Sequence, residues 1–278
     1  MTRNVDLAVV EGFGDEWTRF DQTSLSDAEL RELFEAYFSE FPWSDLPSDS
    51  VGFDLGCGSG RWARFVAPRV GTLHCIDPSA AALAVASRAL AGYPNVRMHN
   101  ATVDEIPLAD DSADFGYSLG VLHHIPDTPA AIRACVVKLR TGAPLLLYLY
   151  YALDNRPPWY RALWKSTEAL RFLISRMPHP MRYAISQVLA VLIYWPMARF
   201  ARLCEALGMR SASMLPLAFY RRRSFYVMRT DALDRFGTRL EQRFSRARIE
   251  QMMRDAGLTG ITFRSQAPFW CAVGKRAR

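Results

Sequence analysis

The run VGFDLGCGSGRWARF, residues 51–65, places one carboxylate, Asp54, just ahead of three closely spaced glycines, Gly56, Gly58 and Gly60. Such glycines let a backbone approach a bound molecule without side-chain obstruction, and a helix beginning near Arg61 would aim free N–H groups at it. The spacing is not that of a dinucleotide loop, because the third glycine comes one residue early and Arg61 holds its expected place. A phosphate cradle of the form G-x-x-x-x-G-K-[ST] is also missing. A carboxylate at the end of a strand would repel a pyrophosphate but receive an ammonium group. The second acid, Asp77 in CIDPS, follows about twenty residues later at the end of the next predicted strand, where a carboxylate suits the two hydroxyls of a ribose.

An ammonium group and a ribose joined without phosphate point to S-adenosylmethionine. The ordered motifs resemble those of the class I S-adenosylmethionine-dependent methyltransferases. DLGCGSG (54–60) resembles their first motif, IDPS (76–79) the ribose-binding second, and TVDEIPLADDSADFGYSLGVLHHIPD (102–127) the run from the adenine loop through strand four. FSRARIEQMMRDAG and the two strands after it resemble their closing helix and hairpin, so the likeness covers roughly 51–150 and 243–274. It implies that Asp54, Gly56 and Gly58 meet the methionine end of the cofactor, Asp77 the ribose, Thr102 and Val103 the adenine, and Ser118 the cofactor from strand four. The family often carries an acid where Thr102 stands, and TGAP (141–144) replaces its usual double glycine before strand five.

These residues need a scaffold, and the chain supplies one. VGFDL, TLHCI, VRMHN, DFGYSL and LLLYLY alternate with helical patterns, which reads as βαβ units. With ITFRS and FWCAVGK closing, the expected fold is α/β: a Rossmann-like, seven-stranded, mostly parallel sheet with helices on both faces. Ahead of it, SDAELRELFEAYFSEF reads as a helix capped by Ser26. After Tyr150 the alternation stops, and a long helical stretch rich in Trp, Tyr and Arg follows strand five. The expected organisation is an N-terminal helical lid segment (1–50), a cofactor-binding core (51–151 and 243–278) and an inserted helical cap (152–242).

Two histidines, His123 and His124, follow strand four and are the candidate catalytic residues, since an imidazole can take a proton from a hydroxyl during methyl transfer. The bland alternative is that the pair closes the strand by packing. Phe13, Trp17 and Phe20 share one apolar face and could cover the cofactor. In the insertion, Trp159, Tyr220, Arg223 and Tyr226 are candidate substrate contacts, with Trp17 from the lid segment. Helical aromatics are more often core.

The formal charge is +6, but residues 1–60 hold 13 acids against 3 arginines, while residues 199–278 hold 17 Arg or Lys against 6 acids. The one compact basic run, Arg221 to Arg223, is short for nucleic acid, which is not expected as a partner. Five scattered cysteines without a CxxC pair support neither a disulfide framework nor a zinc site, and no metal is expected. No leader peptide is recognisable, no continuous apolar run reaches about 18 residues, and a cytoplasmic location fits. The reading is an S-adenosylmethionine-dependent methyltransferase acting on an O, N or C atom of a small molecule, its oligomeric state open. A lipid-linked acceptor at a membrane surface and a non-catalytic partner subunit are the alternatives. The first draws on RYAISQVLAVLIYWPMARFARL, whose apolar circumference between Val188 and Trp195 is expected to be buried in protein, which disfavours a membrane surface.

Overall fold

The computed structural model describes residues 4–278; the first three residues of the segment read as a lid lie outside the described residues. Helices α1 (Leu7–Arg19) and α2 (Asp27–Tyr37) lead into five strands, β1 (Val51–Leu55), β2 (Thr72–Asp77), β3 (Val96–Asn100), β4 (Phe115–Leu119) and β5 (Pro144–Tyr148). A short helix α3 (Ala63–Val66) joins β1 to β2, α4 (Ala80–Ala89) joins β2 to β3, and α5 (Thr128–Lys138) joins β4 to β5. Helices α6 (Pro158–Ile174), α7 (His179–Leu189), α8 (Trp195–Ala206) and α9 (Phe225–Gly237) follow, then α10 (Arg246–Asp255), β6 (Leu258–Phe263) and β7 (Cys271–Arg276). Contacts divide the chain into two compact units, residues 1–22, 30–152 and 240–278 forming one, and 23–29 with 153–239 the other.

In the first unit the seven strands run in the order β3-β2-β1-β4-β5-β7-β6, with all neighbours parallel up to β5 and β7 antiparallel to both β5 and β6. Order reverses between β1 and β4, and in such sheets ligands gather beyond the strand carboxyl ends at that switch. The two strands lock by paired exchange: Gly52 opposes Phe115 and Phe53 opposes Gly116. A Cβ on Gly52 would fall 2.1 Å from the Phe115 ring, and one on Gly116 would fall 2.2 Å from the Phe53 ring. Each ring therefore lies on the bare backbone of the neighbouring strand, and the next residues in register, Asp54 and Tyr117, are brought side by side. Helix starts follow local chemistry, with Asp6 capping α1, Ser79 capping α4 and Asp127 capping α5 through side-chain acceptors. The N-terminal aromatic stretch was expected as an apolar face and is a full helix, α1.

The second unit is helical throughout. A five-residue π-helical segment, Ala190–Tyr194, joins α7 to α8 into one 28-residue helix, His179–Ala206. Its inner face is Ala190, Tyr194 and Ala198, packed with Ile174, Met228, Ala232 and Phe236. Arginines tie the unit together: Arg182 donates to the Gly237 carbonyl at 2.8 Å, Arg171 to the Thr238 carbonyl at 3.0 Å, and Arg229 to Tyr183 at 2.8 Å. The expected burial of the apolar run from Val188 to Trp195 does not hold. Val188, Val191, Leu192, Ile193 and Trp195 are exposed, because Ser186, Ala190, Tyr194 and Ala198 take the inward positions. Although no continuous apolar run is long enough, this helix has the length and mean composition to cross a bilayer.

Gly52→Val should overlap the Phe115 ring and loosen the β1–β4 pair, lowering stability by about 1–3 kcal/mol, as overpacking of a tight core does. Urea unfolding read by tryptophan fluorescence checks this, with a Val103→Ala variant of the same unit as a cavity control.

Candidate active site

The site grows from the carboxyl end of β1. Asp54 is 1% exposed, and its Oδ2 has no hydrogen-bond partner. Burial pushes its pKa up to about 8; the Tyr117 hydroxyl pulls it down, Asp77 pushes it further up, and Arg61 opposes that. Although the Tyr117 hydroxyl is close enough to act on the carboxyl, it too has no aligned hydrogen bond. A buried acid without a partner is costly unless a cation completes it.

The loop beyond β1 is held in place by backbone and by Asp77. The Gly56 and Cys57 N–H groups donate to the Ile76 carbonyl at 2.7 and 3.2 Å. Gly56 has φ +77° and would press a Cβ into Val121 at 2.4 Å; Gly58 has φ +54° and would press one into the Trp17 indole at 2.8 Å. Left-handed backbone and close overlying side chains thus both require glycine here. Asp77 accepts from the Gly58 N–H through Oδ2 and from the Ser79 N–H through Oδ1, both at 2.9 Å. Burial raises its pKa to about 6 against those two donors. A carboxylate has about four acceptor positions, so Asp77 retains capacity for a diol while it braces the loop.

Other expected cofactor residues divide. Thr102 occupies the first position of the turn after β3 without a side-chain cap and keeps a buried hydroxyl without a partner, so a polar group could meet it. Val103 is buried in the main core with Leu55 and Ile76. Ser118 is fully buried, and its hydroxyl donates to the Leu55 carbonyl at 2.8 Å, stitching β4 to β1. Trp17 lies over the glycine loop, with the Arg61 guanidinium 5.2 Å from its ring.

The two histidines differ. His124 joins Nδ1 to the Leu240 carbonyl at 2.7 Å and meets Phe13 edge-on at 4.9 Å, a packing role. His123 is fully buried, and neither ring nitrogen has a partner. It stacks on Tyr150 at 3.8 Å. Burial, with His124 and Arg243 nearby, holds its pKa well below the ordinary imidazole value. The sequence reading missed the pair that stands behind it: Arg243 pairs with Glu241 at 2.7 Å and lies 5.1 Å from the Tyr150 ring. Burial works against the Arg243 charge, but Glu241 and the two tyrosines Tyr150 and Tyr148 outweigh it. Nothing in LEQRFS distinguishes Arg243 from the chain's many surface arginines; the signal is its position just before the final helix.

Trp159, Tyr220, Arg223 and Tyr226 belong to the second unit. There Trp159 is exposed, Tyr220 donates to Asp231 at 2.8 Å, and Arg223 lies 5.4 Å from the Phe219 ring; Tyr226 is half-buried. Arg221 and Arg222 both pair with Glu205. Among the described residues no group of three or more His, Cys, Asp or Glu could hold a metal ion.

Residues 53–147 match a family described as a methyltransferase domain. Over 212 residues the chain is 27% identical to a ubiquinone biosynthesis O-methyltransferase of Hahella chejuensis, covering 74% of this chain and 85% of that protein. It is 30% identical over 131 residues to a 2-phytyl-1,4-naphtoquinone methyltransferase of Thermosynechococcus vestitus, covering 44% of this chain and 58% of that one. A solved structure from Methanococcus maripaludis, assigned as an S-adenosyl-L-methionine-dependent methyltransferase, shares the fold with a TM-score of 0.53 at 12% identity, covering 100% of this chain and 98% of that one. The matched domain, the relatives and the fold support a class I S-adenosylmethionine-dependent methyltransferase. The residues of this methyltransferase fit the cofactor: Asp54 keeps a buried Oδ2 without a hydrogen-bond partner, the glycine loop excludes side chains, and Asp77 and Thr102 keep polar capacity.

The raised pKa of Asp54 fixes the sign of a stability effect. A folded-state pKa near 8 against 3.8 unfolded means that the contribution is intact below about pH 4 and is lost as pH rises through 8. Between pH 6 and 8 the cofactor-free protein should lose about 2 kcal/mol on this account. Asp54→Asn should remove that slope, and at pH 8 should melt higher than the parent while binding S-adenosylhomocysteine at least about tenfold more weakly. Differential scanning fluorimetry at the two pH values, with and without S-adenosylhomocysteine, measures both effects.

Proposed function

We propose that the methyltransferase moves a methyl group onto a hydroxyl oxygen of a small, ring-bearing acceptor, and that His123 takes the hydroxyl proton. The carrying observation is His123 itself, fully buried with both nitrogens unpartnered, two residues beyond the Val121 that covers Gly56. S-adenosylmethionine supplies an activated methyl group on a sulfonium, so the protein's work is alignment and proton removal. Asp54 would receive the cofactor's ammonium group and Asp77 its ribose hydroxyls, with Thr102 at the adenine side.

His123 is neutral at physiological pH, since its pKa is held well below 6.5. One of its nitrogens therefore carries a free lone pair. As an oxygen gains a methyl group its proton becomes strongly acidic, and even a weakly basic imidazole can accept it. Tyr150 fixes the imidazole plane by stacking, and Arg243 with Glu241 fixes Tyr150 from behind. Tyr148 lies 5.8 Å from Tyr150 and 5.0 Å from Tyr37, so the surroundings are aromatic and suit a ring. A relative named as an O-methyltransferase supports the oxygen acceptor, and one named as a quinone methyltransferase supports a ring-bearing one.

Radiolabelled methyl transfer to a panel of hydroxylated aromatic compounds tests this. His123→Ala should lower kcat by roughly 10²- to 10⁴-fold while leaving S-adenosylhomocysteine affinity within about twofold. Unchanged turnover in that variant would remove His123 from the reaction.

A further inference from the structure

The second unit leaves many large apolar side chains outward. On the 28-residue helix His179–Ala206 the exposed stripe runs through Val188, Leu192, Trp195, Phe200 and Leu203, with Leu192 68% exposed. Ser186, Ala190 and Ala198, with Tyr194, face inward, so the inner face is mostly small while the outer one is large and apolar. The π-helical segment Ala190–Tyr194 adds a residue to one turn and so rotates α8 relative to α7 by ~100°. That rotation turns Phe200 outward, while Arg199 stays half-buried and donates to the Arg223 carbonyl at 3.3 Å. Helix α6 repeats the pattern independently: Trp159, Leu163, Leu170 and Leu173 fall at heptad spacing and are all exposed. Arg161 and Lys165, also exposed, border that stripe.

Charge decides which partner covers these faces. The second unit, residues 23–29 and 153–239, holds fifteen Arg or Lys against seven Asp or Glu, a net of +8 in a chain whose whole formal charge is +6, so the remainder is acidic. A second copy would bring the same cationic surface against itself. An anionic bilayer answers both features, taking apolar side chains below the headgroups and attracting bordering Arg and Lys. We infer that the second unit docks this methyltransferase on anionic membrane, with His179–Ala206 and α6 lying in the interface plane. The long helix does not cross the bilayer in this arrangement, because its inner face remains packed on Met228, Ala232 and Phe236 of α9. Resting on the methyl-transfer reading above, this points to an acceptor delivered from the membrane, an amphiphile with an apolar tail.

Flotation of the full chain with vesicles separates this inference from the reaction. At physiological salt the protein should float with phosphatidylcholine vesicles containing about a quarter phosphatidylglycerol and far less with phosphatidylcholine alone. The double variant Leu173→Glu/Leu192→Glu changes only exposed positions and should cut the floated fraction by roughly tenfold. Its melting temperature and stabilisation by S-adenosylhomocysteine should match the parent. Three results would each overturn the inference: no flotation with either vesicle, flotation that the double variant retains, or a dimer by light scattering that the double variant splits. If flotation fails while hydroxylated aromatics are methylated in solution, the catalytic reading stands and only the docking surface is lost.

Discussion

A carboxylate removed from water at the end of β1, with one oxygen unpartnered, is the constraint around which the first unit is arranged. Burying Asp54 opposes folding at neutral pH, and nothing in its surroundings fully offsets the cost: Tyr117 lacks an aligned hydrogen bond, and Asp77 adds like charge. Such a position is retained when a ligand brings the missing cation. The other features of the unit keep that place open and rigid. Glycines clear the approach, Asp77 and the Ile76 carbonyl pin the loop, and the interlocked Phe53 and Phe115 rings fix the two strands that carry Asp54 and Tyr117.

The two units handle charge and apolar surface by different rules. The first hides its aromatic residues and uses them to orient a few polar groups, as where Tyr150 packs near both His123 and Arg243. Its buried Arg243–Glu241 pair costs desolvation and would be a poor way to gain stability alone. Its value lies in holding Tyr150 and hence His123 in one orientation. The second unit uses several arginines as internal ties, Arg171 and Arg182 to carbonyls at the end of α9 and Arg229 to the Tyr183 hydroxyl, and leaves many large apolar residues outside. Each choice is coherent with a different neighbour, a small molecule for one and lipid for the other.

Much of the first unit was legible because its signals are local. Strands such as VGFDL and LLLYLY are continuous apolar runs bounded by turns, and the glycine loop with its two acids is a short motif with a physical reason at each position. The features that escaped depend on the direction of a side chain. Ser118 alternates onto the Leu55 carbonyl, a fact of register and not of residue type. The partnership of His123, Tyr150 and Arg243 joins positions 27 and 93 residues apart in the chain. The orientation of His179–Ala206 was misread because an apolar helix looks alike whether protein or lipid covers it, and the π-helical turn that sets its phase has no clear sequence signature.

Calorimetry of S-adenosylhomocysteine binding at pH 7, repeated in buffers of different ionisation enthalpy, tests the central claim most directly. If Asp54 titrates near 8 when free and is held ionised by the ligand's ammonium group, binding should release about 0.9 proton at pH 7, falling towards zero above about pH 9. Asp54→Asn should abolish that release. Binding that releases no proton at pH 7, or releases the same amount from the Asn variant, would contradict the account of a buried carboxyl waiting for its cation.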